Sequence, residues 1–267
     1  MLKTISVFNI PIAATTMRDA ISQFENETNI SDLSGQYVCF LNVHTAVTAY
    51  DTPEYMQVMQ ESGVVYPDGK PIAREVKKQF RKGDKNSAGK MGTLCNDIGT
   101  GLYPEKISGP DFFMEIMAHS EKNHWTHFFY GASEETLEGI RTRLLAMYPN
   151  LQIKDMYSPP YRELTEEEKA ADIERVKAAD ADFIWIGLGA PKQENWMYAH
   201  KGMFRGVMFG VGAAFDFVAG TVKRAPRWMQ KCSLEWLYRL FQDPKRLWKR
   251  YLKTNLRFVW LKVLGKV

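Results

Sequence analysis

Short runs of consecutive apolar residues punctuate the chain, and between them apolar positions recur at three- and four-residue spacing. The runs predict strands and the spaced stretches predict helices. Residues 36–42 (QYVCFLN) read as a strand entering a helix over about 43–62. Residues 63–66 form a second strand ending in Pro67-Asp68-Gly69, a turn that presents a side chain at the strand's end. Residues 126–130 (THFFY) form a third, closed by Gly131-Ala132, with Ser133 as N-cap and Glu134 and Glu135 in the first turn of a helix reaching about Met147. A helix over 165–178 starts from a capping box, Thr165 with Glu168. Phe183 to Ile186 is a buried strand, Gly187-Leu188-Gly189-Ala190 a loop, Pro191 a first helical residue, and 206–211 a further strand. This alternation predicts an α/β fold, a parallel sheet with helices on both faces. Residues 81–105 break the rhythm and read as a loop or insertion, and the chain reads as helical from Ser233 onward, broken at Asp243-Pro244.

Composition narrows the class. The 267 residues are 45% hydrophobic and 25% charged, ordinary globular proportions that exclude disordered and collagen-like architectures. No apolar run reaches the roughly 18–20 residues of a spanning helix, and the apolar stretch before Asn9 is too short for a secretion signal. Cys39, Cys95 and Cys232 are odd in number and widely spaced, which argues against structural disulfides and fits a reducing compartment.

Charge changes the picture more. The net charge is +4, yet residues 221–267 carry 13 Lys and Arg against Glu235 and Asp243, so this segment is +11 and the rest of the chain −7. Four of the seven tryptophans fall in the same segment, which sets a body at 1–220 apart from a basic, Trp-rich end at 221–267. Basic side chains interleaved with Trp and Leu suit an anionic lipid surface. Nucleic acid would meet the same charges, but no nucleic-acid motif accompanies them.

Ligands of parallel sheets sit at the carboxyl ends of the strands. Three predicted ends carry polar residues: Asn42-Val43-His44, Asp68-Gly69, and Gly187 to Glu194. In the last, GLGAPKQE, Gly187 and Gly189 allow close backbone approach and the helix opening at Pro191 offers N–H groups to an anion such as a diphosphate. Lys192 and Gln193 would add a charge and a hydrogen bond; a tight turn with surface polar residues would look the same. The loop lacks the third glycine and the later acid of a dinucleotide fingerprint, and the chain has no P-loop GK[ST]. Asp68 is a candidate general base and equally a turn aspartate bonded to its own backbone. Asp111 reads first as a helix N-cap. Asp180-Ala181-Asp182 resembles a metal-holding DxD but precedes its strand, at the wrong edge of the sheet. The histidines show no metal-ligand spacing, so no metal site is expected. His44 alone stands at a strand end, as a core or a site residue.

Taken in order, FLNVH at 40–44, YPDG at 66–69, GPD at 109–111, GLGAPKQE at 187–194, FDFVAGTVKRAP at 215–226, LEWLYR at 234–239 and RYL at 250–252 closely resemble the WecG/TagA/CpsF family of bacterial glycosyltransferases, glycosyltransferase family 26, over nearly the whole chain. The resemblance implies a Rossmann-like core with a C-terminal helical, membrane-associating appendage. It implies an inverting, metal-independent transfer, with no cofactor, from a UDP-sugar to an undecaprenyl-diphosphate-linked saccharide in cell-surface polysaccharide synthesis. The place implied is cytoplasmic, peripheral on the inner face of the cell membrane through 221–267. By position, Asp68 corresponds to the catalytic base, Asn42 to an active-site asparagine, and Gln193 and Glu194 to the end of the glycine loop. His44, Lys106, Asp111, Arg224 and Arg227 are expected at the substrates, with Gly187, Gly189, Pro191 and Lys192. Two departures stand out. Lys106 occupies the place of a frequent arginine, keeping the charge and losing the bidentate fork, and Phe40 stands where a hydroxyl residue commonly sits. No nucleic-acid partner is expected; a homo-oligomer is left open, as is the donor sugar, for which N-acetylmannosamine is the commonest assignment among relatives. The rival readings are another nucleotide-binding α/β enzyme and a non-catalytic membrane-surface adaptor.

Overall fold

The computed structural model describes residues 2–25, 31–86, 104–232 and 234–266. In chain order these form β1 (Thr4–Val7), β2 (Ile10–Ala13), α1 (Met17–Glu25), β3 (Tyr37–Leu41), α2 (Val43–Asp51), α3 (Pro53–Gln60), β4 (Val64–Pro67), α4 (Lys70–Asn86) and α5 (Gly109–Asn123). There follow β5 (Thr126–Gly131), α6 (Glu134–Met147), β6 (Gln152–Tyr157), α7 (Glu166–Ala179), β7 (Phe183–Gly187), α8 (Lys192–Ala199) and β8 (Val207–Gly210). The chain ends in α9 (Ala214–Ala219), α10 (Arg227–Lys231), α11 (Glu235–Gln242) and α12 (Pro244–Val263).

β1 and β2 form an antiparallel hairpin, and the other strands a six-stranded sheet in the order β4-β3-β8-β7-β5-β6 with every pair parallel. A parallel sheet covered on both sides needs strands apolar at nearly every position, which is why its inner strands read as apolar runs, whereas the edge strand β6 (QIKDMY) does not and is absent from the sequence reading. Alternate residues feed opposite cores. Tyr37, Cys39 and Leu41 of β3, Ile184 and Ile186 of β7 and Met208 of β8 pack with α2, α3 and α8. Val38 and Phe40, Phe183 and Trp185, and Phe209 pack with α1, α5, α6 and α9. The α/β class and the parallel sheet agree with the sequence reading.

Several boundaries differ from it. The single helix expected over 43–62 is two, because Pro53 has no N–H to continue the first and starts the second. The segment expected as a loop from 81 is helical as far as Asn86 in α4, and residues 87–103 lie outside the described residues. α8 opens at Lys192 with Pro191 at its N-cap, and Ser108, not Asp111, precedes the first turn of α5. The capping box of Thr165 and Glu168 is present, as is the Ser133 cap on the Thr136 N–H. Asp180 and Asp182 face Arg205 at 2.7 and 2.9 Å at the opposite edge from the strand ends, consistent with a structural part.

α12 packs on α2. Phe258 and Leu261 enter the core shared with β3, Phe258 meets Phe8, and Arg257 grips Asp51 through Nη2 at 2.7 Å and Nε at 3.1 Å. The opposite side of the same helix stays in solvent, with Leu252, Leu256 and Val259 each more than half exposed. Among the described residues no helix is long and apolar enough to cross a membrane.

Candidate active site

The carboxyl ends of β4, β3, β8 and β7 lie side by side along one edge of the sheet, and the sequence-predicted residues fall there in three groups. Asn42 follows β3 and caps α2: its Oδ1 accepts the N–H groups of His44 at 3.0 Å and Thr45 at 3.1 Å, and Thr45 Oγ1 accepts the Asn42 N–H at 2.9 Å. Asn42 is therefore occupied by the helix it starts. His44, the second residue of α2, carries a buried Nδ1 without a hydrogen-bond partner. Burial, and then the nearby Arg250 of α12, push its pKa down to about 4, so the ring is neutral at pH 7.

The second group surrounds Asp68. Its backbone N–H bonds the Leu41 carbonyl at 2.8 Å, and the Ile107 N–H bonds the Pro67 carbonyl at 2.9 Å, which sets Lys106 beside the β4 end. Asp68 is half-buried. Burial raises its pKa to about 6, with Lys106 and Arg239 pulling it down and Glu235 and Asp111 pushing it up. Asp111 sits in the first turn of α5, accepts from Ser108 Oγ, and receives Arg224 Nη1 at 2.6 Å. Burial works against the Asp111 carboxylate, but the bonds from Arg224 and Ser108 prevail and hold it below its ordinary value. Arg224 Nε lies 3.7 Å from Glu235, and its Nε and Nη2 are buried without a hydrogen-bond partner. Phe217 of α9 supports two guanidinium groups on its ring, Arg239 at 4.7 Å and Arg224 at 6.0 Å. Arg227 is exposed at the start of α10.

The third group is the loop after β7, three strand positions from Asp68, roughly 14 Å at the usual spacing between strands. Gln193 and Glu194, expected at the substrates as the end of the glycine loop, are 5% and 1% exposed. Gln193 Oε1 accepts the Gly189 N–H at 3.1 Å, and its Nε2 donates to Glu194 Oε1 at 2.8 Å. Two glycines leaving β8 make room for this inward turn, since a Cβ on Gly210 would meet Gln193 Nε2 at 2.9 Å and one on Gly212 would meet Oε1 at 3.2 Å. Gly187 cannot carry a side chain, because a Cβ there would lie 2.4 Å from Phe215. Of the residues expected at the substrates in this loop, Lys192 and Pro191 are exposed; Gly187 and Gly189 are half-buried backbone.

Burial lifts the Glu194 carboxyl to about 7, against the bond from Gln193 and the neighbouring Tyr55 hydroxyl; the Cys39 thiol also faces it. A carboxyl raised from its ordinary value stays protonated in the folded state over a range where the unfolded chain has lost the proton. Stability therefore falls as pH rises from about 4.5 to 7, by about 3 kcal/mol when complete. Glu194→Gln removes that slope, so thermal unfolding at pH 5 and pH 8 is expected to show the variant gaining on the wild type at the higher pH. A constant difference between the two would mean that the carboxyl ionises as an exposed one does.

Glu235 and Arg239 near Asp68 and Arg250 near His44, all from the C-terminal helices, enter the sequence reading only through the charge count and the segments LEWLYR and RYL and are not singled out; the i, i+4 spacing of Glu235 and Arg239 puts both on one helix face. Among the described residues no group of three or more His, Cys, Asp or Glu is placed to hold a metal ion.

The sequence profile of the "Glycosyl transferase WecG/TagA/CpsF family" matches residues 5–90 and 94–267. Among characterised relatives, an N-acetylglucosaminyldiphosphoundecaprenol N-acetyl-beta-D-mannosaminyltransferase of Bacillus subtilis (strain 168) is 28% identical over 252 residues, covering 94% of this chain and 88% of its own. The protein of the same name from Staphylococcus aureus (strain MW2) is 34% identical over 143 residues, 53% of this chain and 54% of its own. One from Bacillus spizizenii (strain ATCC 23059 / NRRL B-14472 / W23) is 25% identical over 252 residues, again 94% and 88%.

Proposed function

The chain belongs to the WecG/TagA/CpsF family of glycosyltransferases, and from that premise we propose that it transfers an N-acetylmannosamine-type sugar from a UDP-sugar to a saccharide carried on undecaprenyl diphosphate. Asp68 carries the reading. A carboxyl at a strand end, raised to about 6, is ionised near neutrality yet basic enough to take a proton from a hydroxyl as it attacks. The acceptor oxygen bonds to the anomeric carbon, the bond from that carbon to the UDP oxygen breaks, and the acceptor proton passes to Asp68. A single displacement of this kind inverts the anomeric centre.

The departing diphosphate gains charge, which Lys106, Arg239 and Arg224 are arranged to offset without a metal. Arg224 supports this best, since its buried Nη2 has no hydrogen-bond partner and its Nε meets Glu235 only at 3.7 Å. The loop after β7 would take the nucleotide end through backbone groups and Lys192, with Asn42 and His44 between the two ends. Glu194 and Gln193 act in this reading by holding the loop, not by touching substrate.

We assign the catalytic body to 1–220 and a membrane-facing appendage to 221–267. Among the described residues, ten large apolar side chains from Trp228 to Leu264 are at least two-fifths exposed, an arrangement suited to the inner surface of an anionic membrane.

The test is UDP release from a panel of UDP-sugars with a short-chain polyprenyl-diphosphate saccharide and EDTA present. Release with one donor, and inverted product, is the expected result. Release that requires added divalent metal would overturn metal independence, and tight UDP binding without transfer to any acceptor would favour a non-catalytic role.

A further inference from the structure

One buried carboxylate lies away from Asp68 and outside the catalytic proposal. Glu75 of α4 is 3% exposed, and its two oxygens face Lys78 Nζ at 3.4 Å and, across the helix interface, Lys262 Nζ of α12 at 3.2 Å. Two ammonium groups from two helices are thus gathered by a single negative charge, leaving the floor of the interface positive. A groove of about 470 Å³ opens over it, lined by Glu75, Lys78, Gln79, Lys82, Lys262 and Gly265, and adjoins one of about 370 Å³ along α4, lined by Arg74, Lys77, Lys78, Arg81 and Lys82. α4 begins two residues after Asp68, and the lining positions 74–82 lie about 6–18 Å further along its axis. The grooves therefore stand apart from the reacting centre.

The chain beside the larger groove is apolar: between Lys262 and Gly265, which line it, stand Val263, 79% exposed, and Leu264, 49% exposed, and Val263 continues the bare face of α12 that bears Leu252, Leu256 and Val259. A ligand that places phosphate charge and hydrocarbon side by side matches both features, whereas nucleic acid would use the cations and leave these apolar side chains in water. We propose that this groove seats the head-group phosphate of an anionic phospholipid, making α4 a second membrane contact beside α12. The proposal rests on the membrane reading above, and adds to it a surface that lies outside 221–267.

Phosphatidylcholine vesicles with and without phosphatidylglycerol test it on the full chain. The triple variant Arg74→Gln/Lys78→Gln/Lys82→Gln is expected to lose on the order of 100-fold in affinity for the anionic vesicles and nothing for the neutral ones. The double variant Arg74→Gln/Lys82→Gln, which leaves Glu75 and both its lysines in place, is expected to lose on the order of 20-fold. UDP release with a short-chain, water-soluble acceptor is expected to stay at the wild-type level in both. Unchanged affinity for anionic vesicles, or an equal loss on neutral ones, would overturn the proposal. If Leu252→Gln/Leu256→Gln abolishes vesicle binding while the basic variants keep it, the α12 contact stands and the groove does not. If the wild type binds no vesicle, both readings fall; preferential binding of an oligonucleotide over anionic vesicles would reassign the groove to nucleic acid.

Discussion

Asp68→Asn is expected to lower kcat by roughly 100- to 10,000-fold, the range for loss of a positioned general base, while donor binding changes little because the shape is kept. The wild-type enzyme should also show a pH limb that the variant lacks. A base works only when unprotonated, so kcat/KM should rise through about pH 6 and fall away below it. The position of that limb follows from the surroundings. Burial favours the neutral acid, Lys106 and Arg239 favour the carboxylate, and Glu235 and Asp111 oppose them. Steady-state UDP release across pH checks both parts. An Asn variant as active as wild type, or one with the same acidic limb, would remove Asp68 from the chemistry.

Arg224→Ala is the second large effect. Loss of one preorganised donor to a developing anion costs about 100- to 1000-fold in kcat, and Arg224→Lys should recover only part of it because an ammonium lacks the fork. The same substitution strands Asp111 and Glu235 near each other. Both are partly in solvent, so screening limits the loss of stability to about 1 kcal/mol. The expected signature is an activity loss much larger than the fall in stability, measured by kcat beside thermal unfolding. Equal losses in the two would make Arg224 a strut between α5 and the C-terminal helices.

What could be read from the chain divides along a physical line. Strands buried on both faces, such as β3 and β7, declare themselves by unbroken apolar runs, and Thr165 with Glu168 announces a helix start, because these signals are local. Asp68 at the end of β4 was legible for the same reason. The partner of Asp111 was not: Arg224 lies 113 positions away, and only the folded chain brings the two together. The burial of Gln193 and Glu194 was not legible, because polar residues opening a helix normally face water, and the space that the Gln193 amide fills is left by Gly210 at the end of β8 and Gly212 just after it. The β1–β2 hairpin was missed because Pro11 stands inside its second strand, and a proline within a short run argues against a strand.

α12 was described with one side fixed to α2 through Phe258, Leu261 and Arg257 and the other side bare. A helix held that way has no freedom to roll. Its 20 residues make a rod about 30 Å long, and if its bare side lies on a bilayer, the protein's tilt and standing height above the lipid are set by the rod and not by a tether. Diffusion toward a lipid-borne acceptor then becomes a search in two dimensions at a constant altitude, with the same edge of the sheet presented at every encounter.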